Sequence, residues 1–309
     1  MKNIVITGAT SFIGIHLIRR LIKDNNNKLH LIVRENNRKK EKLKKIEKEK
    51  NINIYKIDMN EYSKIKEYIN FKPDILIHLS WNGTRKPQRD DEILQENNYL
   101  NSIDLFENMV ELGCKKIINI GSQAEYGISD KIISEDDETS PNTWYGIYKL
   151  KLCNEMFNRF KEKDLNLYHI RVFSIYGIDD DDNTLIMSSI KKLKQNIDLE
   201  LTESTQNWNF LNVNDLVKAI EIFVKKDDIK TGIYNIASKE TKQLKEYIEE
   251  LKYIVGSKSN LLFGEISYPK EGKVSINPDI TKIQSNTQWR EEITFEQGIK
   301  EIINLYEEK

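Results

Sequence analysis

Tyr145 and Lys149 stand four residues apart in the segment Tyr-Gly-Ile-Tyr-Lys. On a helix this spacing puts both side chains on one face. A phenol starts with a pKa of about 10, and an ammonium beside it favours the phenolate. Tyr145 is thereby suited to exchange a proton with an alcohol or carbonyl oxygen near neutral pH. The pair alone is a weak pattern in a chain with 48 Lys and Arg residues. Ser122 strengthens it: an apolar run at 117–121 ends in Gly121-Ser122, and this hydroxyl would donate to, or accept from, the same reacting oxygen. Gln123 and Ala124 follow, and neither side chain is a general acid or base.

Such chemistry needs a partner for the electrons, and the N-terminus offers a place to hold one. Residues 4–14 read IVITGATSFIG: a short strand, a tight turn and the start of a helix. Gly8 and Gly14 supply positions without a Cβ, and Thr10, Ser11, Phe12 and Ile13 complete the turn. Backbone N–H groups there approach a pyrophosphate at the positive end of a helix dipole, which points to a dinucleotide. The end of the second strand reads the adenosine ribose. A carboxylate there would accept from the ribose hydroxyls of NAD, but this chain has Arg34. A guanidinium suits the 2′-phosphate of NADP, so NADP(H) is favoured, with NAD possible and a plain surface charge the alternative. Arg38 and Lys39 stand close by in sequence. Asp58, followed by Met59, ends the third strand, either to accept from the adenine amino group or as an ordinary loop acid.

The elements that position these residues follow from periodicity. Apolar runs at 3–6, 29–33, 52–57, 75–79, 117–121 and 167–173 read as strands; helices are expected at 12–22, 60–70, 90–112 and 144–163. Alternating strands and helices predict an α/β fold, a Rossmann-type doubly wound parallel sheet. The charged stretch 34–50 reads as a solvated helix. After residue 173 the rhythm changes to short mixed segments. Residues 1–172 are read as a dinucleotide-binding domain and 173–309 as mainly a smaller C-terminal α/β substrate lobe. A helix at 212–226 and a strand at 233–237 place 212–238 back with the first domain.

Composition excludes several classes. The net charge is −1, from 48 basic and 49 acidic residues, so there is no footprint for nucleic acid or an anionic membrane. No apolar run reaches the roughly 20 residues of a membrane span, and the N-terminus reads as a strand rather than a signal peptide. A cytoplasmic protein is expected. Cys114 and Cys153 read as ordinary thiols. The four histidines show no metal spacing, and His78 and His169 read as core residues, so no metal is expected. Asp179 to Asp182 read as a solvated loop.

Several segments together resemble a known family: TGATSFIG at 7–14, HLSWNG at 78–83, GSQAEYG at 121–127, YGIYK at 145–149, RVFSIYG at 171–177 and WNFLNVNDLVKAI at 208–220. In this order they resemble an extended short-chain dehydrogenase/reductase of the NAD-dependent epimerase/dehydratase family, which acts on nucleotide-activated sugars. The resemblance implies a catalytic set of Ser122, Tyr145 and Lys149, with Lys149 also holding the nicotinamide ribose. It implies that Leu79, Ser80 and Trp81 lie beside the cofactor, that Asn98 stands near the site, and that Phe173 and Ser174 open the sugar-binding lobe. Trp81 is a wall against the sugar or part of the core. The chain departs from the pattern at Ser11, where the family has Gly, at Ser174, often Asn, and at Trp208, often an Arg that grips the substrate pyrophosphate; Lys270 is a substitute grip. Dehydratases of the family carry Asp-Glu where this chain has Gln123-Ala124, which argues against dehydration. The resemblance implies NADPH-dependent reduction of a CDP- or dTDP-linked 4-keto-6-deoxy sugar, with Ser122, Gln123 and Trp81 near the substrate. NAD-dependent 4-epimerisation is the alternative, and a non-catalytic dinucleotide sensor a distant third. A homodimer through the helices at 90–112 and 144–163 is implied by the same analogy.

Overall fold

A computed structural model describes residues 1–35, 43–44, 46–268 and 273–307. The chain divides into two compact units: residues 1–127, 138–172 and 217–234 form one, and residues 128–137, 173–216 and 235–309 the other.

The first unit starts with β1 (Lys2–Thr7), α1 (Phe12–Leu21), β2 (Asn27–Val33), β3 (Ile52–Lys56) and β4 (Ile75–His78). It continues through α2 (Glu92–Glu111), β5 (Lys116–Ser122), α3 (Trp144–Phe160) and β6 (Asn166–Val172). The second unit holds β7 (Ser174–Tyr176), α4 (Leu185–Lys194), β8 (Leu199–Leu201), β9 (Asn207–Trp208) and β10 (Phe210–Asn212). Helix α5 (Val213–Lys225) begins in the second unit and ends in the first, and β11 (Gly232–Ile236) leads the chain back. β12 (Lys242–Gln243), α6 (Leu244–Val255), β13 (Leu261–Phe263), α7 (Thr281–Thr287) and α8 (Phe295–Glu307) complete the second unit.

Seven strands form the main sheet in the order β11-β6-β5-β4-β1-β2-β3. The pairs β1–β2, β1–β4, β2–β3, β4–β5 and β5–β6 are parallel. The order reverses direction at β1, so the carboxyl ends of β1 and β4 flank a switch point, where open α/β sheets bind ligands. This is the doubly wound Rossmann arrangement that the alternation of apolar runs predicted. Ile4, Val5, Ile6, Leu76, Ile77, Ile117 and Ile118 are fully buried, as strands covered on both faces require.

Helix boundaries follow local chemistry. Ser11 Oγ accepts from Gly14 N at 3.0 Å to start α1. Asp91 accepts from Leu94 N at 3.1 Å to start α2, and Thr143 Oγ1 accepts from Gly146 N at 3.2 Å to start α3. Each cap satisfies an otherwise orphaned donor.

One element differs in kind from the sequence expectation. The segment predicted as a helix at 60–70 is a 3₁₀ helix, Met59–Glu67. Its buried side chains are Met59, Tyr62 and Ile65, a spacing of three that matches the repeat of the 3₁₀ turn. In the charged stretch, residues 36–42 and 45 lie outside the described residues; its described part forms turns that bury Leu43 and Ile46. In the acidic loop, Asp181 Oδ1 accepts from Asn183 N and Asn183 Nδ2. Both cysteines are free and buried. Among the described residues, no helix is long and apolar enough to cross a membrane.

Candidate active site

The β1–α1 turn opens on a cavity of about 620 Å³, a size suited to a small-molecule ligand. Of the residues assigned to a cofactor from sequence, Gly8, Thr10, Ser11, Arg34, Met59, Leu79, Ser80 and Trp81 line it. Ile32, Val33, Ile57, Tyr62, Asn82 and Thr84 line it as well and had no distinguishing pattern in sequence. Phe12 and Ile13 begin α1, and Gly14 takes part through its N–H to Ser11. The Asp58 N–H donates to Glu61 Oε2 at 3.0 Å, so Asp58 caps the 3₁₀ helix. Arg34 is exposed and donates to Asn82 Oδ1 at 3.4 Å. Arg38, Lys39 and Lys270 lie outside the described residues.

Gly8 has φ +66°, and a Cβ there would stand 2.9 Å from Leu79 C and Ser80 N. The turn therefore lies directly on the backbone that leaves β4. A left-handed backbone costs a residue with a Cβ about 1–2 kcal/mol, and this contact adds to it. Gly8→Ala is expected to weaken binding of a nicotinamide dinucleotide at least about tenfold, read by titration calorimetry. An unchanged Kd would remove the turn from the binding site.

Behind the turn, a buried polar chain fixes the end of β4. Thr7 Oγ1 accepts from Leu79 N at 3.2 Å and from Ser80 N at 3.3 Å. Ser102 Oγ donates to Asn98 O, leaving its lone pairs for His78 Nε2–H at 2.9 Å. His78 Nδ1 then accepts from the Thr7 hydroxyl at 2.9 Å. The network thus assigns the tautomer, and burial pushes the His78 pKa down to about 3, keeping the ring neutral. His78 is a core histidine, as its strand context indicated.

The loop after β4 is anchored from α2. Asn98 Oδ1 accepts from Asn82 N at 3.1 Å, and Asn98 Nδ2 donates to Asn82 O at 2.8 Å. Gln95 Nε2 donates to the carbonyls of Gly83 and Gln88, both at 2.9 Å, while Gln95 Oε1 accepts from the Trp81 indole at 2.6 Å. Gln95 was not singled out in sequence. The signal was there: Gln95, Asn98 and Ser102 are polar residues at helical spacing on a buried face.

Ser122, Tyr145 and Lys149 come together in the first unit. Ser122 ends β5 in extended conformation, and its Oγ accepts from Ala124 N at 3.2 Å, starting a 3₁₀ turn over Gln123–Glu125. Gly146 lets the first turn of α3 meet this loop, since a Cβ there would stand 2.4 Å from Ala124 O. The Tyr145 phenol lies close enough to the Ser122 side chain for that hydroxyl to act on its pKa. Its ring meets Trp81 edge-on, with centroids 6.3 Å apart, and the Arg89 guanidinium lies 4.7 Å from its centroid. Lys149 Nζ donates to Ile120 O at 2.7 Å and sits 4.0 Å from the Trp81 ring centroid and 6.0 Å from that of Tyr145.

The electrostatics differ from the sequence expectation in one respect. Burial raises the Tyr145 pKa, opposed by the Ser122 hydroxyl and by Arg89. Burial also lowers Lys149 to about 7, with Glu125 acting to raise it. The cation that pulls on the phenol is thus Arg89, because Lys149 is turned toward Trp81 and the Ile120 carbonyl. Desolvation outweighs both neighbours, and Tyr145 keeps its proton at neutral pH.

A buried charged group adjoins this trio. Glu125 accepts from Ser122 N at 2.7 Å, from His169 Nε2 at 3.0 Å and from Arg171 Nε at 2.8 Å. Burial acts to raise its pKa, but His169 and Arg171 outweigh burial and bring it down to about 2. His169 Nδ1 accepts from Asn119 Nδ2 at 2.9 Å, and burial lowers its pKa. Cys153 completes a group of ligand-type atoms with Glu125 and His169, all within 4.8 Å of one another. Arg171 already supplies the positive charge, and burial holds the thiol well above its usual pKa, so the donor set does not suit a metal ion.

The remaining sequence-assigned residues lie in the second unit. Phe173 is buried, Ser174 starts β7, and Trp208 lies in β9 with its ring 6.3 Å from Phe210. The Trp208 indole N–H is buried without a hydrogen-bond partner among the described residues.

Comparison with known proteins bears on the whole chain. It is 27% identical over 316 residues to dTDP-4-dehydro-6-deoxyglucose reductase of Escherichia coli, covering 98% of this chain and 96% of the relative. It is 28% identical over 323 residues to UDP-N-acetyl-alpha-D-glucosaminuronate decarboxylase of Bacillus cytotoxicus, covering 99% and 98%. Its fold is that of UDP-glucuronic acid 4-epimerase from Bacillus cereus, solved in complex with NAD: TM-score 0.82 at 22% identity, covering 98% of this chain and 99% of that one. Residues 4–237 match the NAD dependent epimerase/dehydratase family. With the Rossmann sheet, the turn at Gly8 and the Ser122–Tyr145–Lys149 cluster in place, the chain belongs to that family of NAD(P)-dependent nucleotide-sugar enzymes.

Proposed function

We propose that the chain reduces the 4-keto group of a CDP- or dTDP-linked 4-keto-6-deoxy sugar with NADPH, and that Tyr145 is the proton donor. The observation that carries this reading is the convergence of Tyr145 and Lys149 from α3 on the Trp81 ring, beside Ser122 at the end of β5, with burial holding the phenol above its usual pKa. Reduction of a ketone consumes one hydride and one proton, and a phenol that keeps its proton is ready to give it. When bound, the reduced nicotinamide supplies the hydride. Ser122 orients the ketone oxygen, and Tyr145 protonates the alkoxide as it forms. Lys149 holds the nicotinamide ribose.

Two further features support the reading. Gln123 and Ala124 stand in a capped 3₁₀ turn, and neither can eliminate water. Glu125 is bound to Arg171 and His169 and is not a free acid or base. Arg34 at the cavity suits the 2′-phosphate of NADPH.

The test follows absorbance at 340 nm with NADPH and CDP- or dTDP-4-keto-6-deoxyhexoses. Stoichiometric NADPH oxidation is expected. Tightly held NAD released on denaturation, with no NADPH consumed, would replace this reading with a 4-epimerase. Arg34→Asp is expected to raise the KM for NADPH by about 10–100-fold, the worth of a charge-assisted hydrogen bond, with little change for NADH. Equal effects on the two cofactors would remove Arg34 from phosphate recognition.

A further inference from the structure

The Glu125 cluster plays no direct part in the reaction above, yet it touches the reacting trio from below. Glu125, His169 and Arg171 are all buried. The carboxylate accepts from three residues on two strands at once: the Ser122 N–H at the end of β5, and the His169 and Arg171 side chains on β6. Arg171 also stacks on Tyr126, its guanidinium carbon 4.3 Å from the ring centroid. A carboxylate in a core is retained only where it is paired and hydrogen-bonded.

We propose that Glu125 is a positioning residue: its carboxylate clamps the backbone of Ser122 and places a fixed negative charge within electrostatic reach of Lys149 and Tyr145. The proposal rests on the assignment of Ser122, Tyr145 and Lys149 to the reaction. The clamp is direct, because the Ser122 N–H has Glu125 Oε1 as its acceptor while Ser122 Oγ is held by Ala124 N. Two bonds thereby fix the residue whose hydroxyl meets the Tyr145 phenol.

The charge acts on both partners in the same sense. Lys149 faces the Ile120 carbonyl, the rings of Trp81 and Tyr145, neutral His78 and His169, and Glu125. Of these only Glu125 favours the ammonium by charge. Tyr145 faces Ser122, Arg89 and Glu125, and Glu125 favours the protonated phenol. Without the carboxylate, Lys149 loses its proton at lower pH, and so does Tyr145. Reduction needs both protons in place, so the alkaline limb of its pH profile moves down.

Glu125→Gln keeps an acceptor for the Ser122 N–H but turns an amide N–H toward Arg171 and leaves that cation unpaired. Glu125→Gln combined with Arg171→Met removes the conflict and restores charge balance. Both variants are compared with wild type in thermal unfolding and in kcat against pH from 5.5 to 9.5. The double variant is expected to recover thermal stability over the single one while its alkaline limb stays about one pH unit below wild type. That shift corresponds to about a tenfold loss of kcat on the alkaline side. Recovery of stability together with a wild-type pH profile would overturn the proposal and leave Glu125 a purely structural ion pair. If wild type reduces no keto-sugar, the reductase reading fails on its own. The affinity for NADP(H) against pH, which depends on the Lys149 ammonium, then reads the same comparison. A midpoint about one unit lower in the double variant supports the proposal, and an unmoved midpoint overturns it.

Discussion

Tyr145→Phe is expected to lower turnover by about 10²–10⁴-fold with cofactor affinity and fold intact. The substitution removes one oxygen and keeps the ring, so the Arg89 and Trp81 contacts survive. Ser122 Oγ is not orphaned, because it still accepts from Ala124 N, and the stability lost is about 1 kcal/mol. Three measurements separate the roles: steady-state reduction, dinucleotide affinity and thermal unfolding. Only the first should move by orders of magnitude. Turnover within about threefold of wild type would falsify the assignment of Tyr145 as proton donor, and a matching loss of cofactor affinity would make it a binding residue instead.

The second large effect is on stability. Arg171→Leu removes the cation from a carboxylate that stays buried between β5 and β6. Breaking one side of a buried pair costs about 3–5 kcal/mol, and the unfolding temperature should fall on the order of 10 °C. The pH dependence has a definite sign. In wild type the Glu125 pKa lies at about 2, below its ordinary value of 4.5. Its contribution is therefore complete above about 4.5 and is lost as pH falls from there toward 2. In Arg171→Leu the carboxyl takes up a proton at higher pH, which relieves the unpaired charge. The gap in unfolding temperature between variant and wild type should narrow on going from pH 7 to pH 4. A gap that is constant with pH would mean that Arg171 stabilises through packing on Tyr126 rather than through charge.

What was legible in the sequence depended on distance along the chain. The β1–α1 turn was readable because strand, glycine and cap lie within a dozen residues, and local geometry alone dictates how they meet. The Tyr145–Lys149 spacing was readable because the α-helical repeat converts it into a shared face. The charge balance around them was not. Whether Lys149 or Arg89 pulls on the phenol depends on where the loop after β4 lies, and Arg89 is 56 positions before Tyr145. Glu125, His169 and Arg171 meet only because β5 and β6 are neighbours with Gly121 opposite Arg171. Two cues were present: an ionisable residue within GSQAEYG, and an arginine inside the apolar strand LYHIRVF. A charge in a strand buried on both faces demands a partner, and that demand is visible before the partner is known. The segment at 60–70 was readable as a helix, but its 3₁₀ form was not, for a related reason. Its apolar residues fit either repeat over so short a stretch.

The anchoring of the loop after β4 bears on how this enzyme changes over evolution or in engineering. The path of residues 81–88 is dictated by two amides on α2, Gln95 and Asn98, which grip its backbone at Asn82, Gly83 and Gln88 and hold the Trp81 indole. Beyond Trp81, the loop's shape thus rests on its backbone contacts to α2, and its ordering entropy is met during folding rather than on ligand arrival. A new outline for this wall of the cavity has to be written into the helix behind it: exchanging Gln95 reshapes the wall, whereas exchanging Thr84 only repaints it.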